Sequence, residues 1–343
     1  MISLESSLQN FEGMDAETFQ RFFAIFQKFN WIVPFEDRFR IFKHAQRLSV
    51  LNIGDETNVV YARIRRNFMI ADGLNVFNYM LRQHLNMRSK FKIVFIDING
   101  NEEPGIDDGG PFKEFLLQVL KTLLNPEYGL YIPINGNELI PNPLAHIYVD
   151  GSPDLYYFLL GVILARALQE NILVSVNFHS TVLRNLLGKR NSFNQLISFD
   201  KDLFSQLKKV KDYENVEELC LNFTASDGTK EIELKPNGGN IEVDQFNKLE
   251  YIYLYSDYKL NRQFKTMNRP FLAGFSKVID MEAIQIINEV ELGMMISGAH
   301  KTLDTKDLEN HTVYVAGYNR NDRYIKVCFF LVNRWLGFLE CGS

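Results

Sequence analysis

The chain has 343 residues, 46% of them hydrophobic and 13% aromatic, with 28 phenylalanines. That is too apolar for a disordered chain and enough for two packed units or one large domain. A net charge of −5 and a pI near 5.8 argue against a general nucleic-acid binder, which needs a basic face.

The N-terminus, MISLESSLQNFEGMDAET, has neither a basic nor an apolar leader region, so it does not read as a signal peptide. The first fifty residues read as helix, turn, helix: ETFQRFFAIFQKF, then IVPFEDRFRIF, with Pro34 breaking the pattern between them. RIRRNFMIADGLNVFNYML (63–81) reads as a further helix, with Arg63, Arg65 and Arg66 on its solvated face. FKIVFID (Phe91 to Asp97) is strand-like. After Gly110 the spacing of Phe112, Phe115, Leu116, Val119, Leu120 and Leu123 defines one apolar helix face. Pro111 suits the first helical position, Asp107 and Asp108 complement the helix dipole, and Asn125-Pro126 closes the helix. Tyr156 to Asn171 is apolar almost all round, which predicts a central buried helix. Its most apolar stretch, Tyr156 to Leu168, is too short to span a bilayer and contains Arg166, so no membrane association is expected.

From Leu219 the period changes to that of strands. ELCLNFT, the turn Ser226-Asp227-Gly228, KEIELK, the turn Asn237-Gly238-Gly239 and IEV predict a small antiparallel meander. Asp244 is the expected N-cap of the helix carrying LEYIYLYSDYKLNRQF, and more helix follows through MEAIQIINEVELGMMISG. The fold class is α+β, mostly helical with a small β insertion.

Few motifs carry chemistry. The three cysteines, Cys220, Cys328 and Cys341, are scattered, which excludes a disulfide framework and points to a reducing compartment, the cytoplasm or secondarily the nucleus. No CxxC or HExxH occurs, so no metal is expected. Asp97, Asn99, Asn101 and Asp108 fall at positions 1, 3, 5 and 12 of a calcium loop, but Glu102 stands where that loop needs glycine. The segment GIDDGGPFKEF (Gly105 to Phe115) therefore reads as a tight structural turn, with Gly109 and Gly110 supplying backbone freedom. Two aspartates there would repel a phosphate. No cofactor is expected. His146, His179 and His300 read as surface or capping residues, and none lies beside a cysteine in sequence.

GIDDGGPFKEF resembles the Gly-x-Asp-x-Gly-Gly-x-x-(Arg/Lys)-Glu-Phe signature of HECT-type ubiquitin ligases. Further segments resemble that family in its order: LIPNPLAH (139–146), YYFLLGVILARALQENILV (156–174), LYSDYKLNRQF (254–264), FLAGFSKVI (271–279), ELGMMISG (291–298) and TVYVAGYNRNDRYIKVCFF (312–330). Together they cover roughly residues 30–330. VEELCLNFT and IELKPNGGNIEV are most similar to the ubiquitin-protein ligase E-three-C branch.

The resemblance implies a HECT N-lobe. Its parts would be an N-terminal helical segment (1–50), a large subdomain in two pieces (51–180 and 256–330), and a small subdomain (181–255). An atypical tail (331–343) would follow. The small subdomain would dock a ubiquitin-conjugating enzyme, with Leu207, Val210, Tyr213, Tyr251 and Tyr255 as candidate contacts. Ubiquitin and, in the full-length ligase, protein substrates are the other implied partners. In the family a second lobe with a Thr-Cys-(Phe/Met)-Asn motif carries the nucleophile. Here the chain reads IKVCFFLVNRWLGFLECGS, and no Thr-Cys pair occurs in it. The expectation is that the lobe with the catalytic cysteine is missing, leaving a fragment that recruits but does not transfer. A non-catalytic module that sequesters conjugating enzymes is the alternative, and unfamiliar cysteine chemistry at Cys328 or Cys341 a third. Cys328 is expected to be buried packing, Cys220 to face away from Leu219, Leu221 and Phe223 on a strand, and Cys341 to lie on a tail.

Overall fold

The computed structural model describes residues 10–51, 59–103, 109–298, 305–315 and 317–340, with side chains at 50, 51, 305–307 and 333–340 left aside. The chain divides into two units, Met1–Gly298 and Ala299–Ser343.

The first unit opens with α1 (Ala16–Phe29), capped by Asp15, whose carboxylate accepts the Thr18 N–H at 2.9 Å. Phe19 and Phe26 turn inward, and the Phe19 ring packs at a tilt against Phe11 and Phe22 and stacks on Phe23. Pro34 separates α1 from α2 (Phe35–Leu51), as its missing N–H predicts. Arg38 on α2 donates to the carbonyls of Val33 and Ile286 and grips the Glu291 carboxylate with both guanidinium nitrogens.

The helix expected over 63–81 is in part a strand. β1 (Val59–Arg65) buries Ala62 and Ile64 and leaves Tyr61 exposed, and α3 begins only at Met69 (Met69–Arg82). β1 lies parallel to β2 (Lys90–Ile96), pairing Ala62 with Ile93 and Ile64 with Phe95. The arginines are not a solvated helix face. Arg63 pairs with Glu102, Arg65 with Asp72 (2.6 Å), and Arg66 with both Glu103 (2.6 Å) and Glu114 (2.5 Å).

The helix expected after the glycine pair is α4 (Gly110–Leu123), with all six predicted apolar residues buried. A hairpin follows, β3 (Tyr131–Ile134) antiparallel to β4 (Glu138–Pro141). The central helix is α5 (Pro153–Gln169), eleven of whose residues are buried. Its Arg166 is 1% exposed. The guanidinium donates to the Arg88 carbonyl, Gln169 and Glu170 and lies under the rings of Phe91 and Phe112. Burial pulls its pKa down to about 10. α6 (Ser180–Leu186) follows.

After an intervening segment described below, α8 (Lys248–Leu260), α9 (Lys265–Phe275) and α10 (Glu289–Ser297) complete this unit. Asn288 caps α10 reciprocally with Glu291, side chain to backbone in both directions. One continuous apolar cluster runs from Phe11 through α5 to Ile296.

The second unit holds a short helix (Thr305–His311) and α11 (Arg323–Glu340). That helix runs without a break across residue 331, where an atypical tail was expected. Cys328 on it is exposed rather than buried. So are Tyr324, Val327 and Phe330. No helix among the described residues is long and apolar enough to cross a membrane.

Candidate functional site

Residues from Leu196 to Leu260 have a hydrophobic cluster of their own. Phe199 packs against both this cluster and the main core. The expected boundaries were 181 and 255, yet α6 buries its apolar face in the main core and α8 carries the small core on to Leu260.

Local chemistry builds this segment. Asp200 caps α7 (Lys201–Asp212) by accepting the Leu203 N–H at 2.9 Å, and the helix turns Leu203, Leu207 and Val210 inward. The meander shrinks to β5 (Thr224–Ser226) and β6 (Glu231–Glu233), with the third strand reduced to a single bridge between Asn222 and Glu242. The turn between β5 and β6 hangs on Asp227. Its carboxylate accepts the N–H groups of Thr229 and Lys230 at 2.8 Å, which holds its pKa down at about 2. Gly238 packs against Phe223, where a Cβ would stand 2.4 Å from the carbonyl oxygen.

The five candidate contacts separate into two groups. Leu207, Val210 and Tyr251 are 3%, 9% and 6% exposed and belong to the small core. Their side chains are packed between α7 and α8 and are not open to a partner as direct contacts would be. Tyr251 stacks edge-on against Phe223 (5.6 Å) and Tyr255 (5.7 Å), and burial pushes its phenol up to about 12. Tyr213, at the end of α7, is 41% exposed, and Tyr255 is half-buried. The outward apolar residues that sequence reading missed are Leu219, Phe246, Leu249 and Tyr253. α8 spreads its apolar and aromatic residues around the whole helix, so periodicity gives no signal of which face is free.

Asp244 is not the N-cap residue of α8, since Asn247 holds that position. It builds the turn before the helix instead, accepting the N–H groups of Phe246 and Asn247.

No nucleophile is built around the described cysteines. Cys220 lies not on a strand but at the left-handed end of a short helical turn (φ 48°), exposed, with its thiol donating weakly to the Glu218 carbonyl at 3.9 Å. Cys341 falls outside the described residues. His179 is buried and caps α6, its Nδ1 accepting the Thr181 N–H. His146 is exposed, and His300 lies outside the described residues.

Of the GIDDGG turn, Gly105 to Asp108 lie outside the described residues. Gly109 occupies left-handed backbone (φ 78°) at the start of α4, whereas Gly110 has ordinary backbone and open space around it, so only the first needs to be glycine. Asp97 caps its own turn by accepting from Asn99 and Asn101, and no cluster of metal-ligating side chains occurs among the described residues.

The profile of the HECT-domain (ubiquitin-transferase) family matches residues 117–336, more than half of the chain. The chain belongs to the HECT family. The match covers the N-lobe region of the HECT domain, and the mostly helical α+β fold agrees with it. The chain is similar to the E3 ubiquitin-protein ligase UPL6 of Arabidopsis thaliana, 33% identical over 84% of this chain and 28% of that protein. It is likewise similar to the human ubiquitin-protein ligase E3B, 30% identical over 92% of this chain and 31% of that protein. For the E3 ubiquitin-protein ligase HUL5 of Saccharomyces cerevisiae the figures are 30%, 86% and 34%. The chain thus spans about a third or less of these relatives' length.

Proposed function

We propose that this chain is the recruiting N-lobe of a HECT-type ubiquitin ligase. Its small subdomain receives a conjugating enzyme charged with ubiquitin, and none of the cysteines in these 343 residues accepts the ubiquitin. Substrates of the whole ligase would be engaged by other parts of it, in a reducing compartment such as the cytoplasm or nucleus. The observation that carries the reading is a subdomain with an independent core in a HECT chain. It turns Tyr213, Leu219 and part of Tyr255 outward instead of burying them.

The chemistry sets the requirements. Ubiquitin arrives as a thioester. An attacking thiolate adds to the thioester carbonyl, the old carbon–sulfur bond breaks, and the conjugating enzyme's cysteine leaves as thiolate. Such a nucleophile needs exposure, a lowered pKa and steric access together. Cys220 and Cys328 are exposed, and the thiol of Cys220 contacts the Glu218 carbonyl, not a histidine or other base.

Calorimetric titration of the chain with a panel of purified conjugating enzymes tests the docking half of the reading. Saturable binding with Kd on the order of micromolar is expected, as for small transient interfaces. Tyr213→Ala should weaken it without lowering the melting temperature. A panel with no binder would sink the proposal.

A further inference from the structure

Phe246 is 99% exposed. A fully solvated phenylalanine on a loose loop would mean little, but this one stands on a turn bonded on every side. Asp244 accepts the Phe246 and Asn247 N–H groups at 2.8 Å each, and Asn247 returns a bond to the Asp244 N–H at 2.9 Å. Asn247 also donates to the Glu242 carbonyl, and the Gln245 N–H donates to the Glu217 carboxylate. The Gln245 side chain and Lys248 Nζ both donate to the Tyr213 carbonyl, at 3.0 and 2.9 Å. The turn is therefore tied to the end of α7, where Tyr213 is exposed. Leu249 and Tyr253, 61% and 57% exposed, continue from Phe246 at helical spacing along α8.

We propose that Phe246 is a preorganised aromatic anchor for the conjugating enzyme. It would enter an apolar cleft on that partner, with Leu249 and Tyr213 beside it. The proposal rests on the recruiting function argued above and adds to it a residue and a partner chemistry.

Two physical arguments select this occupant. Ordering costs oppose association, and a side chain held on a fixed turn loses less freedom when it binds. Large aromatics placed this way carry a disproportionate share of interface energy. The second argument is charge. Segments 212–218 and 242–250 hold seven carboxylates and a single ammonium, that of Lys248. Of the carboxylates only Glu250 has a lysine partner, Lys235 at 2.8 Å. An apolar anchor rimmed by carboxylates, most of them without a cationic partner, fits a partner whose apolar cleft is itself rimmed by Lys and Arg. A second copy of this chain would bring the same carboxylates against themselves, and like charges face to face oppose such a contact.

The test uses the full 343-residue chain and whichever uncharged conjugating enzyme of the panel binds it, titrated at low and high salt. Phe246→Ala should weaken binding tenfold or more, with an unchanged melting temperature, because the side chain touches no core. Leu249→Ala should weaken it less. Glu214→Lys should weaken binding and flatten the fall of affinity with salt. If Phe246→Ala binds as the parent does while Tyr213→Ala does not, docking stands and the anchor is refuted. If Phe246→Ala instead abolishes self-association in analytical ultracentrifugation and spares enzyme binding, the occupant is a second copy and the proposal is overturned. If no conjugating enzyme binds the parent chain, the recruiting function itself fails and the anchor with it.

Discussion

Gly161→Ala should destabilise this protein by about 3 kcal/mol or more, although it adds a single methyl group. Gly161 lies mid-way along α5 where that helix crosses α9. A Cβ there would stand 2.0 Å from the Phe271 carbonyl oxygen and 2.8 Å from the Phe275 nitrogen. The contact is reciprocal, since a Cβ on Gly274 would stand 2.1 Å from the Phe158 carbonyl oxygen. Ordinary contact begins near 3.4 Å, so the two helices would have to part by 3.4 − 2.0 = 1.4 Å. The obstructing atoms are backbone, which cannot rotate aside as a side chain could. Separating a close-packed pair by that much forfeits much of the dispersion energy across the contact. Overpacking usually costs about 1–3 kcal/mol, and a backbone clash at the central helix belongs at or above about 3 kcal/mol. Urea denaturation of Gly161→Ala and Gly274→Ala measures it, with Gly110→Ala as control. No atom lies within 4 Å of a Cβ on Gly110, so the control should stay within about 0.5 kcal/mol of the parent. A Gly161→Ala midpoint equal to the parent's would refute the account of this crossing.

Arg38→Ala should destabilise by about 3–5 kcal/mol, because Glu291 would remain 7% exposed without its guanidinium partner. Arg21→Ala, which breaks the solvent-exposed pair with Glu17, should cost at most about 0.5 kcal/mol in the same assay. Asp227 should titrate with a midpoint of about 2 by NMR, because its carboxylate accepts backbone and hydroxyl bonds only in the folded turn. Its folded pKa is depressed, so the contribution to stability is fully present above pH about 4 and is lost as pH falls toward 2. A midpoint at the ordinary Asp value would show that the turn does not hold in solution.

Legibility in the sequence followed the strength of the pattern. α4 and α5 were readable because the first has a single apolar stripe and the second is apolar all round, and each pattern has one packing solution. β1 was hidden by Arg63, Arg65 and Arg66. Arg63 and Arg65 on the outward side of the strand, and Arg66 just past its end, look like a solvated helix face until the ion pairs with Glu102, Asp72, Glu103 and Glu114 are known. The site was half legible. The resemblance pointed to the segment that has a hydrophobic cluster of its own, but which tyrosine of LEYIYLYSDY points outward depends on the packing of α7 and Phe223 against α8. Nothing local distinguishes Tyr251 from Tyr253. The exposure of Phe246 was invisible for a related reason: it follows from the Asp244–Asn247 turn, whose bonds carry no hydrophobic period. Cys328 misled because an apolar run was read as buried.

The central claim is that the chain recruits charged conjugating enzyme and leaves the thioester where it is. The direct measurement is incubation with a ubiquitin-charged conjugating enzyme that binds the chain, followed by gels run with and without reductant. Cys220→Ser, Cys328→Ser and Cys341→Ser are run in parallel. Retained binding and no reductant-sensitive ubiquitin adduct on the chain are predicted, since a thioester-accepting cysteine needs an activating base or cation beside it. A rapidly formed adduct that one of the three substitutions abolishes would contradict it and identify a nucleophile within these 343 residues.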